Sequence, residues 1–138
     1  MRLVLDTNVV ISGFLWDGPP RRLISYGRKP GVTLFTSASL LAELIDTLSR
    51  PKFEKKIAAL LFSPDQLVDL YSELAVVVRP NHVPRLAPDP DDDVVIGTAL
   101  AARAEFIVTG DRTLLAVMHY QDIRIVSVTE ALELLTSQ

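Results

Sequence analysis

A chain of 138 residues with 49% hydrophobic, 22% charged and 7% aromatic side chains has the make-up of one aliphatic domain over 1–138, large enough to bury its own core. Mean hydropathy is +0.28, yet the longest apolar stretch, Val94 to Ala102, falls far short of the roughly 18 to 20 residues of a bilayer span, and Asp6 and Asn8 interrupt the N-terminal apolar run where a signal peptide needs continuity. Zero cysteines exclude disulfides, thiolate zinc sites and cysteine nucleophiles and fit a cytoplasmic protein, while a net charge of −3 argues against a polyanion held by a global positive field.

Arg2 to Leu5 is a short apolar run that stops at an acid and reads as a buried strand. Asp6, Thr7 and Asn8 can cap a short helix over Val9 to Leu15, which Asp17-Gly18-Pro19-Pro20 ends. A helix from Pro20 to Tyr26 stops at Gly27, and Pro30-Gly31 turns the chain into a strand over Val32 to Phe35. Thr36 and Ser37 are N-caps for a helix through Ser49, in which Leu40, Leu41, Leu44, Ile45 and Leu48 share one stripe. Lys52 to Phe62 and Pro64 to Leu74 read as helices, the second capped by Ser63; Val76 to Val78 is a short strand and Arg79 to Pro90 a proline-rich loop. A helix over Asp92 to Arg103, a strand over Phe106 to Val108, a turn at Thr109-Gly110-Asp111 and a short helix to Met118 follow. A strand over Ile123 to Val126 and a terminal helix from Thr129 complete the chain. Short β-branched runs alternating with helices predict a mainly parallel sheet covered on both faces, with ligands beyond the carboxyl ends of the strands.

Two of those strands deliver an acid to that edge, Asp6 after Leu5 and Asp111 after Thr109-Gly110. Asp92 and Asp93 open the helix before the second strand, where a helix N-terminus tolerates negative charge. Carboxylates converging from separate segments repel unless protonated or bridged, and oxygen ligands without histidine or cysteine select a hard cation, Mg²⁺ or Mn²⁺. Each acid also has a plainer reading. Asp6 and Asp111 can be helix caps, Asp92 and Asp93 first-turn acids, and Glu43 a solvated residue off the apolar stripe.

Leu5-Asp6-Thr7-Asn8, a lone Glu43 within the helix SASLLAELIDTL, the acidic start of DPDDDVVIGTALAARA and the run IVTGDRTLL occur in order across nearly the whole chain. Together they resemble the PIN-domain ribonucleases, in the branch of toxin–antitoxin toxins. The resemblance implies a three-layer α/β/α sandwich and a Mg²⁺- or Mn²⁺-dependent endoribonuclease that acts on RNA. It also implies a homodimer and silencing by an antitoxin protein over the acidic pocket. Carried over by position, its acids are Asp6, Glu43, Asp92 or Asp93, and Asp111, with Asp92 slightly preferred and Asp89 and Asp91 second in rank. Asp6 and the Asp92/Asp93 pair would bind the metal directly, with Glu43 and Asp111 acting through water on it or orienting the nucleophile, and Asn8 and Thr109 would support them. Water attack implies 5′-phosphate and 3′-hydroxyl ends.

Two alternatives stand beside this reading. One is a non-catalytic PIN-like module that binds RNA or protein. The other is a phosphohydrolase of haloacid-dehalogenase type with Asp6 as nucleophile, although Asn8 occupies the position of its second acid. The basic groups Arg21, Arg22, Arg28, Lys29 and Arg50, Lys52, Lys55, Lys56 read as solvated faces before RNA contacts. Trp16 reads first as a lid or dimer contact and second as a base-stacking residue. His82 and His119 lack ligand partners at useful spacing and read as structural or exposed.

Overall fold

The computed structural model describes residues 1–83 and 90–137, with Pro90 and Asp91 described by backbone alone. A six-stranded sheet has the order β3-β2-β1-β4-β6-β5. Its strands are β1 (Arg2–Leu5), β2 (Thr33–Thr36), β3 (Val76–Val77), β4 (Phe106–Val108), β5 (His119–Tyr120) and β6 (Ile123–Val126). All neighbours pair parallel except β5 with β6. The helices are α1 (Thr7–Leu15), α2 (Pro19–Ser25), α3 (Ala38–Leu48), α4 (Glu54–Ala59), α5 (Pro64–Leu74), α6 (Pro90–Ala102), α7 (Arg112–Leu115) and α8 (Val128–Thr136).

Strand alternation divides the core in two. Leu3, Leu5, Leu34, Phe106, Val108 and Val126 meet α1, α2, α5 and α8 on one face. Val4, Phe35, Ile107 and Ile125 meet α6 and Leu114 of α7 on the other. Residues i and i+2 of each strand share a face and the parallel register keeps them level, so the expected sandwich follows directly.

Helix ends follow local chemistry. Ser37 accepts from the Leu40 N–H, and Ser63 with Gln66 and Ser127 with Glu130 form reciprocal capping boxes. Arg21 donates to the carbonyls of Gly13 and Phe14, and Arg2 to that of Ala102, so an arginine satisfies the end of α1 and of α6. In α6 the Asn81 N–H donates to the Gly97 carbonyl at 3.0 Å, and a Cβ at Gly97 would stand 2.3 Å from the Asn81 carbonyl oxygen. Only glycine allows that backbone approach.

Element ends shift by one or two residues in several places, as where α2 stops at Ser25 and a 3-10 turn covers Tyr26–Arg28, and the larger departures from the sequence reading are these. The helix expected over Lys52 to Phe62 is a 3-10 turn, Pro51–Phe53, followed by the short α4, which stops where Leu61 turns left-handed at φ 62°. The helix expected to reach Met118 ends at Leu115, and β5 pairs in its place with β6. Met118 and Gln121, both at positive φ, bracket β5 without the glycine or Asn-Gly signal that announces a hairpin. The proline-rich loop expected over 79–90 falls partly on 84–89, outside the described residues, and α6 begins at Pro90.

Candidate active site

The register of β1 assembles the site. Leu5 pairs with Val108 and the Asp6 N–H donates to the Val108 carbonyl at 2.9 Å, which carries Asp6 level with Thr109. On the other flank Val4 pairs with Phe35, which carries Asp6 level with Ser37. Ser37, Asp6 and Thr109 therefore form a buried polar row across the carboxyl ends of β2, β1 and β4.

Asp6 is held on both oxygens. Its Oδ1 accepts the Thr7 N–H at 2.8 Å, and its Oδ2 accepts the Thr109 hydroxyl at 2.7 Å and the Asn8 amide at 3.3 Å. The Thr109 hydroxyl in turn accepts the Asp111 N–H at 3.0 Å, and Asn8 Oδ1 accepts the Gly110 N–H at 3.1 Å. Asp111 Oδ1 accepts the Thr113 N–H at 2.8 Å and caps α7. Capping and site assembly thus coincide: the bonds that start α1 and α7 aim their acids at the same edge. Gly110 does not sit at positive φ, so the turn needs no glycine for its backbone; a Cβ there would make an ordinary 3.5 Å contact with Asn8 Oδ1.

Burial pushes the Asp6 carboxyl above its ordinary pKa. The donors Thr109, Thr7 and Asn8 pull it down and the Asp111 charge pushes it up again. Burial wins, and a cation beside Asp6 would offset what the donors leave.

The second acid-bearing layer is α6. Thr98 donates to Ser37 Oγ at 3.0 Å, tying the helix to the end of the row. Asp92, Val95, Ile96 and Ala99 are all buried at helical spacing, so Asp92 extends the sheet-facing stripe toward the strand ends. Asp93 is half-buried. Glu43, a candidate acid whose plainer reading is a solvated residue off the stripe, is also half-buried, on α3, which packs against both α1 and α6. Asp89 lies outside the described residues, as does the side chain of Asp91. Among the described residues no three acid or histidine side chains stand close enough together to enclose a metal ion, and the charge of Asp111 is felt at Asp6. That pair fits Mg²⁺ or Mn²⁺, since Mg²⁺ takes oxygen donors, keeps several waters and is commonly held by one or two carboxylates.

Sequence reasoning found Asn8 and Thr109 but missed Ser37 as part of the row, having read it only as a cap, and missed Thr98. The signal was one residue out of reach: the strand read over Val32 to Phe35 ends in the structure at Thr36, and only with that end does Ser37 fall level with Asp6. His82 and His119 are both exposed.

Comparison with known proteins agrees with this architecture. A PIN-domain family profile matches residues 2–113. An uncharacterized protein of Methanocaldococcus jannaschii is 27% identical over 120 residues, covering 84% of this chain and 74% of that one. Among solved structures, the fold is similar to VapBC2 from Rickettsia felis bound to a DNA fragment from their promoter (TM-score 0.61, 14% identity, 92% of this chain and 98% of that one). It is also similar to VapBC-1 from nontypeable Haemophilus influenzae (TM-score 0.57, 21% identity, 94% and 99%). A family match of this extent sets aside the dehalogenase-type alternative. With its acids on the carboxyl edge of a mainly parallel sheet and that match running from β1 through the Asp111 cap, the chain belongs to the PIN-domain family.

Proposed function

We propose that this protein is a Mg²⁺- or Mn²⁺-dependent endoribonuclease and the toxin of a toxin–antitoxin pair. The observation that carries the catalytic part is the Asp6–Thr109–Asp111 chain of hydrogen bonds at the junction of β1 and β4. In this reading Asp6 and Asp111 hold the cation, Asp92 or Asp93 at the start of α6 reaches it through bound water, and Glu43 helps orient the attacking water. A bound divalent cation would supply a more acidic water and charge compensation on the phosphoryl oxygens. Thr7, Thr109 and Asn8 keep both oxygens of Asp6 fixed, so the carboxylate does not reorganise as charge develops. Attack by water on phosphorus leaves a 5′-phosphate and a 3′-hydroxyl end.

The likeness to VapBC complexes supports an antitoxin partner. The chain leaves apolar surface for it in a groove of about 370 Å³ between α2 and α5, walled by Phe14, Ile24, Leu60, Phe62, Leu70 and Leu74. Among the described residues no helix is long and apolar enough to cross a membrane, and cytoplasmic action on RNA, as a homodimer, completes the reading.

The test is cleavage of single-stranded RNA by purified protein with Mg²⁺ or Mn²⁺, against EDTA and against Asp6→Asn. Metal-dependent cuts with 5′-phosphate ends that fall to background in Asp6→Asn are expected. Cleavage by Asp6→Asn at the parent's rate would remove Asp6 from catalysis and the reading with it.

A further inference from the structure

At the far end of α1 lies a feature that the catalytic edge does not use. Trp16, the C-cap of α1, is 45% exposed and meets Phe53 edge-to-face at 6.3 Å between ring centres. Lys56 Nζ stands 5.6 Å from the Trp16 ring centre and Lys52 Nζ 5.0 Å from that of Phe53. Lys55 is exposed on the same short α4, and Arg50 precedes Pro51. The acids nearby are partly engaged: Asp17 pairs with Arg21 at 2.6 Å and Asp46 with Arg50 at 3.9 Å, leaving Glu54 among the lysines.

We propose that Trp16, backed by half-buried Phe53 and flanked by Lys52 and Lys56, forms a stacking platform for single-stranded RNA outside the catalytic pocket. A base stacked on an exposed aromatic ring, with cations on the flanking phosphates, is a way single strands are held without sequence preference. A protein partner fits the same surface poorly, because lysine is depleted from the centres of protein–protein interfaces. The location also suits a strand passing through the site. The nine residues of α1 carry the chain roughly 14 Å from the Asp6 end to Trp16. Alongside it, α3 leads from Ser37 toward Phe53. Both helices leave the catalytic edge and end at the platform, a separation that a few nucleotides of extended strand cover. The platform therefore adds affinity for length and for single-strandedness, not for base identity.

This inference deepens the nuclease reading and rests on it, but it has its own readout. Trp16 is the sole tryptophan, so its fluorescence reports the platform alone. A uridine oligoribonucleotide titrated into the intact protein in EDTA, where no cleavage occurs, is expected to quench that emission saturably. Lys52→Ala and Lys56→Ala should each lower the slope of log affinity against log salt by about 0.7. Trp16→Ala, followed by the anisotropy of a labelled uridine oligoribonucleotide because it has no tryptophan emission, should weaken binding about tenfold and, with metal restored, act on KM rather than kcat for long RNA. Binding without quenching, or salt slopes unchanged in both lysine variants, overturns the platform even if the chain cleaves RNA. Quenching by RNA in a chain that never cleaves it leaves the platform standing and removes the nuclease. Emission that shifts with protein concentration alone, and not with RNA, assigns the patch to a contact between copies and overturns the proposal.

Discussion

The two ends of α1 are opposites. At its start, buried Asp6 accepts three hydrogen bonds and still carries charge that burial and Asp111 make costly. At its end, exposed Trp16 is bordered by Lys56, and Arg21 closes the last carbonyls. The helix dipole favours an anion at the first end and cations at the second, so both ends agree with the backbone. They differ in solvation. The first is dry and spends stability to hold a charge; the second is wet and holds its charges at little cost. The lesson is that burial, more than charge, marks a group arranged for chemistry.

Changes at the dry end should have the larger effects. Thr109→Val removes the donor to Asp6 Oδ2 and the acceptor for the Asp111 N–H together. It should cost about 2 kcal/mol by denaturant unfolding and reduce cleavage on the order of tenfold or more. Retained stability would mean that the row is not under load.

Asp6 itself should show the sign of its pKa. A carboxyl whose folded pKa is raised holds its proton more tightly folded than unfolded. In metal-free protein, stability is therefore greatest below the unfolded pKa and falls as pH rises through the folded one. Asp6→Asn, which keeps a capping side chain, should abolish most of that slope and melt a few degrees above the parent at neutral pH in EDTA. Added Mg²⁺ should raise the parent's melting point and not the variant's. A variant that melts below the parent in EDTA would show that Asp6 is not electrostatically costly.

At the wet end, Arg21→Ala loses two bonds to the last carbonyls of α1 and an exposed ion pair. It should cost about 1 kcal/mol, with cleavage of RNA nearly unchanged. Smallest of all, Tyr71→Phe removes a buried hydroxyl that has no hydrogen-bond partner among the described residues, next to the edge-to-face contact with Phe14. A gain of roughly 0.5 to 1 kcal/mol is expected, and a loss would reveal a partner for that oxygen.

Most of the sheet was legible in the sequence because parallel strands are buried on both faces and appear as unbroken apolar runs that stop at polar residues; β1, β4 and β6 have the bounds expected. β5 was not, since two residues held between left-handed Met118 and Gln121 carry no periodic signal. Of the candidate site, the placement of Asp6 and Asp111 at one edge was legible because Asp6 follows β1 directly and Asp111 follows β4 after the short turn Thr109-Gly110. The difference between Asp92 and Asp93 was not. It depends on which residue the helix turns toward the sheet, and adjacent acids at a helix start do not reveal that phase. Glu43 shows the opposite difficulty. Its position off the apolar stripe gave no sign of the site beyond the family resemblance, yet α3 is flanked by α1 and α6, which half-buries it.

The docking of Gly97 against Asn81 bears on how the protein tolerates change. A saturation library at position 97 should return glycine alone, since even a methyl group would collide with main chain that has no rotamer to yield. The exit from β3 and the helix that bears Asp92 are riveted backbone to backbone, so mutational drift can repaint the surfaces around this joint without being able to thicken it.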